Sequence, residues 1–249
     1  INLQPSELMK IAIIVCFARY YHRTQINNIG SFKNIILSIM ILIMPIVLVL
    51  SQPDLGTSIL IGVSGIVVLW LAGLNIKYFF YSSIALLISL PFVISFLKPY
   101  QKLRVLSFFN PDRDPLGSGG LSGKGFLKGT QSYLDFLPEK HTDFIFTLFS
   151  EEHGFIGSVL LLFLYAIIIY RTAKIGASAR SFFGKLFCYG FASSIFIYVT
   201  VNMSMVLGLL PIVGSPLPIM SYGGSSMLAT MIGFSVVMST KIYQKQIIA

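Results

Sequence analysis

Charged side chains are scarce in this sequence. Only 11% of its 249 residues are Asp, Glu, Lys or Arg, and 55% are hydrophobic, whereas an average soluble domain is about 25% charged. The mean hydropathy is +0.82. So few charges cannot keep a globular surface in water, which argues against a soluble enzyme, a disordered tail and a nucleic-acid-binding domain. The composition predicts an all-α, polytopic membrane protein.

Cysteine is also nearly absent. Cys16 and Cys188 both lie in apolar stretches, where a cysteine is typically a small buried hydrophobic residue. Two cysteines form neither a disulfide framework nor a zinc site. The sequence also lacks a signal peptide with a basic start and a small-residue cleavage site, and it begins with Ile1 rather than Met. We therefore expect the chain to begin inside a longer protein.

The net charge of +9 is unevenly distributed. One set of connections holds ten basic and no acidic residues, at positions 19, 23, 33, 77, 171, 174, 180, 185, 241 and 245. The other set holds all nine acids, at positions 7, 54, 112, 114, 135, 139, 143, 151 and 152. Cytoplasmic loops are enriched in Lys and Arg, so the first set is predicted to be cytoplasmic. The charge is thus a topology signal, helped by attraction to anionic lipid, rather than a sign of nucleic-acid binding.

Seven apolar stretches approach the roughly 20 residues that a helix needs to cross a bilayer. They are residues 8–21, 35–50, 55–74, 78–97, 144–170, 182–210 and 217–240. Together with the charge pattern they predict an external N-terminus and a cytoplasmic C-terminus. We expect one transmembrane domain over residues 1–249, whose sizeable hydrophilic element is an outer loop at 98–143.

The outer loop contains a glycine-rich run, GSGGLSGKG at 117–125, beside several basic residues. Glycine allows close backbone approach, and neighbouring cations suit an anionic group such as a diphosphate. A plain flexible loop is the alternative. The run is not an ATP-binding P-loop, because the GxxxxGK[ST] spacing is absent.

Asp143 is the sharpest candidate for chemistry. It stands where the polar loop becomes an apolar helix. The helix N-terminus favours its anion, while apolar neighbours raise a carboxyl pKa. The balance suits a general base. The alternative is a plain helix cap, a role that Thr142 could share.

Other polar residues are candidates for an outer cavity. Glu151 and Glu152 follow Asp143 by about 12 to 14 Å along a helix, and they face either a cavity within the protein or the membrane interface. Asp54 is either a helix cap or part of that cavity. His141 lies near Asp143 and Glu139, which is too little for a metal site, although a divalent ion held with loop acids stays open.

Glu7 and Lys10 form an intramembrane polar pair in the first span. Their spacing of three places both on one helix face. An ion pair inside a membrane must be buried against other helices, and its role is either functional or simply to orient the bundle.

These residues lie within longer motifs that resemble the SEDS (shape, elongation, division and sporulation) family, its RodA branch more than its FtsW branch. The matching stretches are QPSELMK at 4–10, QPDLGTS at 52–58, YQKLRV at 100–105, NPDRDPLG at 110–117, GSGGLSGKGFLKGTQSYLDFLPEKHTDFIF at 117–146 and PLPIMSYGGSS at 216–226. They are spread over essentially the whole chain, and the GTQS run ahead of LPEKHTDF is the part most similar to RodA.

The resemblance implies a ten-span enzyme of the bacterial inner membrane that polymerises lipid II, an undecaprenyl-diphosphate-linked disaccharide peptide, into peptidoglycan. It places the essential acid at Asp143 and the intramembrane pair at Glu7 and Lys10. It also implies a class B penicillin-binding protein as partner. Candidate ligands of the substrate diphosphate are Arg104, Lys124, Lys128 and Lys140, and Mg²⁺ or Mn²⁺ could share that task.

Two departures from the family pattern stand out. About three N-terminal spans precede the QPSE motif in the family, and roughly a dozen residues separate its DPLG and GSGG motifs, which in this chain meet at Gly117 and Ser118. Two other functions stay open for this chain. One is a flippase that moves lipid II across the membrane, with Glu7 and Lys10 as translocation residues. The other, which the two departures favour, is an inactive scaffold for the penicillin-binding protein.

Overall fold

A computed structural model of the chain describes residues 4–24, 29–52, 54–81, 84, 120–125, 143–206, 209–210 and 214–245. Within these ranges the regular structure comprises six α-helices, a helical run at 76–81 and a short 3₁₀ helix, Tyr243–Lys245. The six helices are α1 Pro5–Arg23, α2 Phe32–Ser51, α3 Leu55–Leu71, α4 Ile145–Ser178, α5 Phe182–Val206 and α6 Gly224–Ile242.

Four helices are long and apolar enough to cross a membrane: α2, α4, α5 and α6. Helix α3 is apolar but has 17 residues, and α1 has 19 residues including Glu7 and Lys10. The predicted class, an all-α polytopic membrane protein, is confirmed.

Helices α1, α3, α4 and α6 run in one direction and α2 and α5 in the other, which sorts the charges to two ends. The acidic end of the bundle holds Glu7, Asp54, Asp143 and Glu151, where α1, α3, α4 and α6 begin and α5 ends. The basic end holds the opposite termini, where the Gln244 side chain donates to the Ser178 carbonyl at 2.7 Å. These helix directions agree with the separation of acidic from basic connections in the sequence.

Helix α5 is the centre of the bundle. It packs against α1, α3, α4 and α6. Of the residues in its most apolar stretch 67% are buried, against 22% for α2 and 17% for α4. The outer faces of α2 and α4 expose large apolar side chains such as Met44 and Phe163, which suits contact with lipid. A polar group on α5 therefore lies inside the protein, whereas most of the surface of α2 does not.

Glycines bring the central helices close together. An added Cβ at Gly190 of α5 would lie 2.7 Å from Val68 Cγ2 of α3 and 3.0 Å from Ile14 Cγ2 of α1. At Gly65 of α3 the corresponding distance to Leu42 Cδ1 of α2 is 2.4 Å. Small residues at such crossings are the usual basis of helix packing in membranes, where lipid tails are as apolar as leucine.

Two of the described spans, α4 and α6, differ in detail from the prediction. Helix α4 runs to Ser178, eight residues beyond the predicted end. Helix α6 begins at Gly224 rather than at 217, because Pro216 and Pro218 lie in a non-helical segment and Ile219 adopts a φ of 73°. The fourth predicted span falls largely outside the described residues.

We expect Gly190→Ala to destabilise the bundle, since the new methyl group would contact branched side chains of α1 and α3 that have little freedom to move. Overpacking of this kind costs about 1–3 kcal/mol. The matched control is Gly224→Ala, where nothing lies within 4 Å of the added Cβ. Thermal unfolding in detergent should show a midpoint several degrees lower for Gly190→Ala only; equal midpoints would mean that the close approach is not limiting.

Candidate functional site

Asp143 lies two residues before α4 and is fixed through its main chain. The Asn202 side-chain amide donates to the Asp143 carbonyl at 2.8 Å and to the Ser215 carbonyl at 2.6 Å. Asn202 belongs to the central helix α5 and is fully buried. One amide therefore joins the start of α4, the end of α5 and the segment that leads into α6.

The Asp143 carboxylate is not the N-cap of α4. That position belongs to Phe144, which makes no side-chain cap hydrogen bond. The carboxylate is half-buried and faces Gly214, where an added Cβ would lie 3.5 Å from Asp143 Oδ2. Because Gly214 has no side chain and a φ of +73°, it leaves space beside the carboxylate. The N-cap position of α4 is thus one residue after Asp143, and Thr142 lies outside the described residues.

Asp54 provides the contrast at another helix start. Its carboxylate accepts from Thr57 N at 3.0 Å and from the Thr57 hydroxyl at 2.7 Å, so it is the N-cap of α3. Of the two alternatives for Asp54, the structure shows the cap, which satisfies a backbone donor of the first turn.

Glu7 and Lys10 form the ion pair that their spacing predicts. Lys10 Nζ lies 2.6 Å from Glu7 Oε1, and the side chains are only 10% and 5% exposed. The ammonium also lies 4.3 Å from the centre of the Tyr198 ring of α5, a cation–π contact. Lys10 also interacts electrostatically with Asp54 and Asp143, so this buried ammonium contributes positive potential at both carboxylates.

A small cavity of about 30 Å³ adjoins this pair. Glu7, Lys10 and Tyr198 line it, together with residues of α6 and of the segment before α6. The Tyr198 hydroxyl is buried and has no hydrogen-bond partner among the described residues. The cavity is large enough for a water molecule, and its polar lining suits one.

The glycine-rich loop is inserted into a break in α4. Gly154 has φ 63° and ψ −162°, which interrupts the helix. Residues 120–125, which we call the loop clasp, form four backbone hydrogen bonds across the break. The donor–acceptor pairs are Lys124–Glu151, Gly125–Glu152, Phe155–Gly120 and Ile156–Leu121, at 3.0, 3.0, 3.0 and 3.2 Å. The run is therefore a structural part of the bundle, a role that its composition does not reveal.

The two acids beside the break are in different environments. Glu151 is fully buried, and its Oε1 lies 2.7 Å from Lys124 Nζ. Glu152 is half-buried, and the neighbouring His153 is exposed, with its ring stacked on Phe149 at 4.4 Å. Of the two alternatives for this pair, the buried environment applies to Glu151.

A groove of about 710 Å³ lies next to the start of α4. Ile145, Met227 and residues 219–224 line it, and the segment before it is held by a hydrogen bond from the Tyr165 hydroxyl to the Pro218 carbonyl. A larger groove of about 1220 Å³ runs between α1, α2 and α6, and its cationic residues are Arg19 and Arg23 near the basic end. The smaller groove is thus the one that adjoins Asp143.

Several predicted site residues fall outside the described residues: Arg104, Lys128, Lys140 and His141. In the part of the chain that the structure describes, no group of three or more His, Cys, Asp or Glu residues could hold a metal ion. At the acidic end the structure gathers Asp143, Glu7, Lys10, Glu151 and Lys124, which form the candidate site, while Asp54 caps α3 beside them.

Sequence reasoning overlooked Asn202, Gly214 and Tyr198. An asparagine in the middle of an apolar span is a signal in itself, because an amide there needs partners within the protein. Gly214 and Tyr198 carry no such signal, since glycine and tyrosine are common in membrane helices and their flanks.

The comparisons with known proteins are extensive. The sequence model described as "cell cycle protein" (FtsW/RodA/SpoVE) matches residues 1–246. The chain is 42% identical to the peptidoglycan glycosyltransferase MrdB of Escherichia coli K12, covering 99% of this chain and 70% of the relative. It is 36% identical to stage V sporulation protein E of Bacillus subtilis 168, covering 98% and 70%.

Solved structures agree with the sequence matches. A chain of a peptidoglycan synthase complex, in a study of polymerization and crosslinking, superposes with a TM-score of 0.81 at 31% identity, covering 99% of this chain and 72% of that one. The rod shape determining protein RodA of Thermus thermophilus superposes with a TM-score of 0.71 at 26% identity, covering 98% and 67%. The MrdB alignment spans 261 positions against 249 residues in this chain, so at least 12 of them have no counterpart in it.

We expect Asn202→Leu to loosen the acidic end, because two buried carbonyls, those of Asp143 and Ser215, would lose a donor at nearly unchanged side-chain volume. An unsatisfied buried polar group costs about 1–3 kcal/mol. The control is Ser193→Ala, also on α5, which removes only a hydrogen bond to Tyr189 within the same helix. A lower thermal midpoint for Asn202→Leu alone is the expected result, and no difference between the two would remove Asn202 as an anchor.

Proposed function

The chain belongs to the FtsW/RodA/SpoVE family of cell cycle proteins, and from this premise we propose that it is a peptidoglycan glycosyltransferase that polymerises lipid II into β-1,4-linked glycan strands. The observation that carries the proposal is Asp143, held at the acidic end of the bundle by Asn202. Relatives that the chain matches over nearly its whole length bear the name of this activity.

The chain lies in the bacterial inner membrane, with the acidic end towards the periplasm and the C-terminus in the cytoplasm. The distribution of charge supports this orientation, since Lys and Arg concentrate on the cytoplasmic side of membrane proteins and the described acids lie at the other end. The acceptor and donor sugars then meet Asp143 on the outer surface, while their lipid tails stay in the bilayer.

The reaction forms one bond and breaks one. The 4-hydroxyl oxygen of an N-acetylglucosamine attacks C1 of an α-linked muramyl diphosphate, the β-1,4 bond forms, and the bond from C1 to the diphosphate oxygen breaks. Asp143 accepts the hydroxyl proton, and the lipid diphosphate leaves with the bonding electrons. A single displacement inverts the configuration at C1, in agreement with an α-linked donor and a β-linked product.

The geometry around Asp143 suits a general base. Its backbone is anchored while its carboxylate has open space beside Gly214, so the base can be oriented without being covered. The groove of about 710 Å³ beside Ile145 offers apolar lining to part of the lipid tail. Glu7 and Lys10 act from beneath, as a buried ion pair that maintains the positions of α1 and α5.

Positive charge is required where the diphosphate leaves. Arg104, Lys128 and Lys140 are the candidates in the outer loop. Lys124 belongs in a different class, since its ammonium is paired with the buried Glu151. Mg²⁺ or Mn²⁺ could stabilise the same charge, but the described residues gather no ligand set for it, and no step is assigned to a metal.

The enzyme works with a class B penicillin-binding protein, which cross-links the strands. The structural relative drawn from a complex that coordinates polymerization and crosslinking supports this partner. The partner supplies a second reaction on the same product, so the two active sites would face the same side of the membrane.

Asp143→Asn is expected to abolish glycan synthesis, with a loss of at least 10²- to 10⁴-fold, the usual contribution of a general base. Asp54→Asn is the matched control at another helix start; Asn is also a good N-cap, so synthesis should stay within a few-fold of wild type. Strand formation from purified lipid II, in the reconstituted complex, is the measurement, with equal membrane insertion of both variants as the check.

The same assay decides between the proposal and its alternatives. Glycan strands from Asp143→Asn would remove Asp143 as the base. Translocation of lipid II in liposomes, with no polymer from the wild-type chain, would indicate a flippase. Capture of a penicillin-binding protein by a wild-type chain that forms no polymer and moves no lipid would indicate a scaffold.

A further inference from the structure

The loop clasp replaces the hydrogen bonds that the break in α4 removes. In an unbroken helix the N–H groups of Phe155 and Ile156 would bond to the carbonyls of Glu151 and Glu152. In this chain those two donors and two acceptors all bond to residues 120–125 instead. The helix can therefore be interrupted next to the bilayer without leaving an unsatisfied backbone group, which would cost several kcal/mol in lipid.

The clasp is sterically specific. An added Cβ at Gly123 would lie 2.1 Å from the Glu152 carbonyl oxygen, and one at Gly154 would lie 2.3 Å from Gly123 N. Both glycines also have positive φ angles, +78° and +63°. The two backbones are in direct contact, so a side chain at either position would displace the loop from α4.

The Lys124–Glu151 ion pair adds a charge requirement to this contact. Glu151 is fully buried, and Lys124 supplies a cation at 2.7 Å. A buried carboxylate without its cation is strongly unfavourable, so the pair favours the docked position of the loop over any other. Because the Lys124 ammonium is paired with Glu151, it is not positioned to move with the substrate diphosphate as a ligand.

The clasp is connected to Asp143 by a short stretch of chain. Residues 126–142 lead from Gly125 to Asp143 and contain Lys128 and Lys140. Gly125, just before this stretch, donates to the Glu152 carbonyl, and Asp143, just after it, is anchored by Asn202. Asp143 stands two residues before α4 and Glu151 lies within its second turn, so the two anchors are at the same end of that helix.

We propose that Lys124 and Glu151 are a positioning pair for the glycosyltransferase reaction. Their ion pair fixes the loop clasp on α4 and thereby the start of the chain segment that ends on Asp143. The inference rests on the proposed function, and it assigns Lys124 to the placement of the catalytic loop rather than to binding of the substrate diphosphate.

A neutralisation cycle separates these two roles of Lys124. The variants are Lys124→Met, Glu151→Gln and the double variant, compared with Lys241→Met as a control that removes an exposed lysine at the basic end. The measurements are kcat and KM for lipid II polymerisation in the reconstituted complex, together with the thermal midpoint of each variant.

Each single variant should lose about 10- to 100-fold in kcat, the usual effect of a misplaced catalytic group, with KM within about threefold. The double variant leaves no unpaired buried charge, so it should regain most of the lost kcat. A double variant as impaired as Lys124→Met, with a KM raised at least tenfold, would show that Lys124 binds substrate. Wild-type kcat in both single variants would show that the pair positions nothing.

Amide hydrogen exchange gives a readout that does not depend on activity. The amides of Lys124, Gly125, Phe155 and Ile156 donate across the clasp, so Lys124→Met should accelerate their exchange about tenfold or more, while amides in the middle of α5 stay unchanged. Unchanged exchange at the four positions would overturn the proposal even if the wild-type chain formed no polymer.

Gly123→Ala provides a second variant that keeps both charges. Its methyl group would displace the Glu152 carbonyl, so the same four amides should exchange faster and kcat should fall as in Lys124→Met. Normal exchange and normal kcat in Gly123→Ala would contradict a role for the clasp.

Discussion

A bilayer offers no hydrogen-bond partners, so the polar groups within this bundle depend on partners inside the protein. The described part of the structure meets that constraint at three levels. Backbone groups at the break in α4 bond to residues 120–125, the charges of Glu7 and Lys10 pair within one helix, and the amide of Asn202 bonds to two carbonyls from different segments. All three arrangements lie at the acidic end, where the sugar chemistry is placed.

The same constraint divides the acids by role. Asp54 caps a helix start, while Glu7 and Glu151 form ion pairs with Lys10 and Lys124. Asp143 differs in that its main-chain carbonyl is bonded to Asn202, with Gly214 beside its carboxylate. The three structural acids are thus fixed through their oxygens, and the backbone of the proposed base is anchored as well. A base must exchange a proton, so anchoring it through the chain is compatible with turnover.

Much of this arrangement follows from local sequence patterns. The spacing of Glu7 and Lys10, the position of Asp54 before an apolar helix, and the alternation of acidic and basic connections each depend on neighbours within a few residues. The insertion of residues 120–125 into α4 and the bonds of Asn202 do not, because their partners lie 13 to 59 residues away. The start of α6 at Gly224 was also not predicted. The residues from 217 onwards are apolar enough to belong to a membrane span, and only their backbone angles show that they are not helical.

The clasp has a consequence for the order in which the chain is assembled. Residues 120–125 are synthesised before residues 151–156, with which they form four backbone hydrogen bonds. These hydrogen bonds can therefore form only after this part of α4 has been synthesised. The acidic end of the bundle is therefore completed late in assembly, after α4 has joined it.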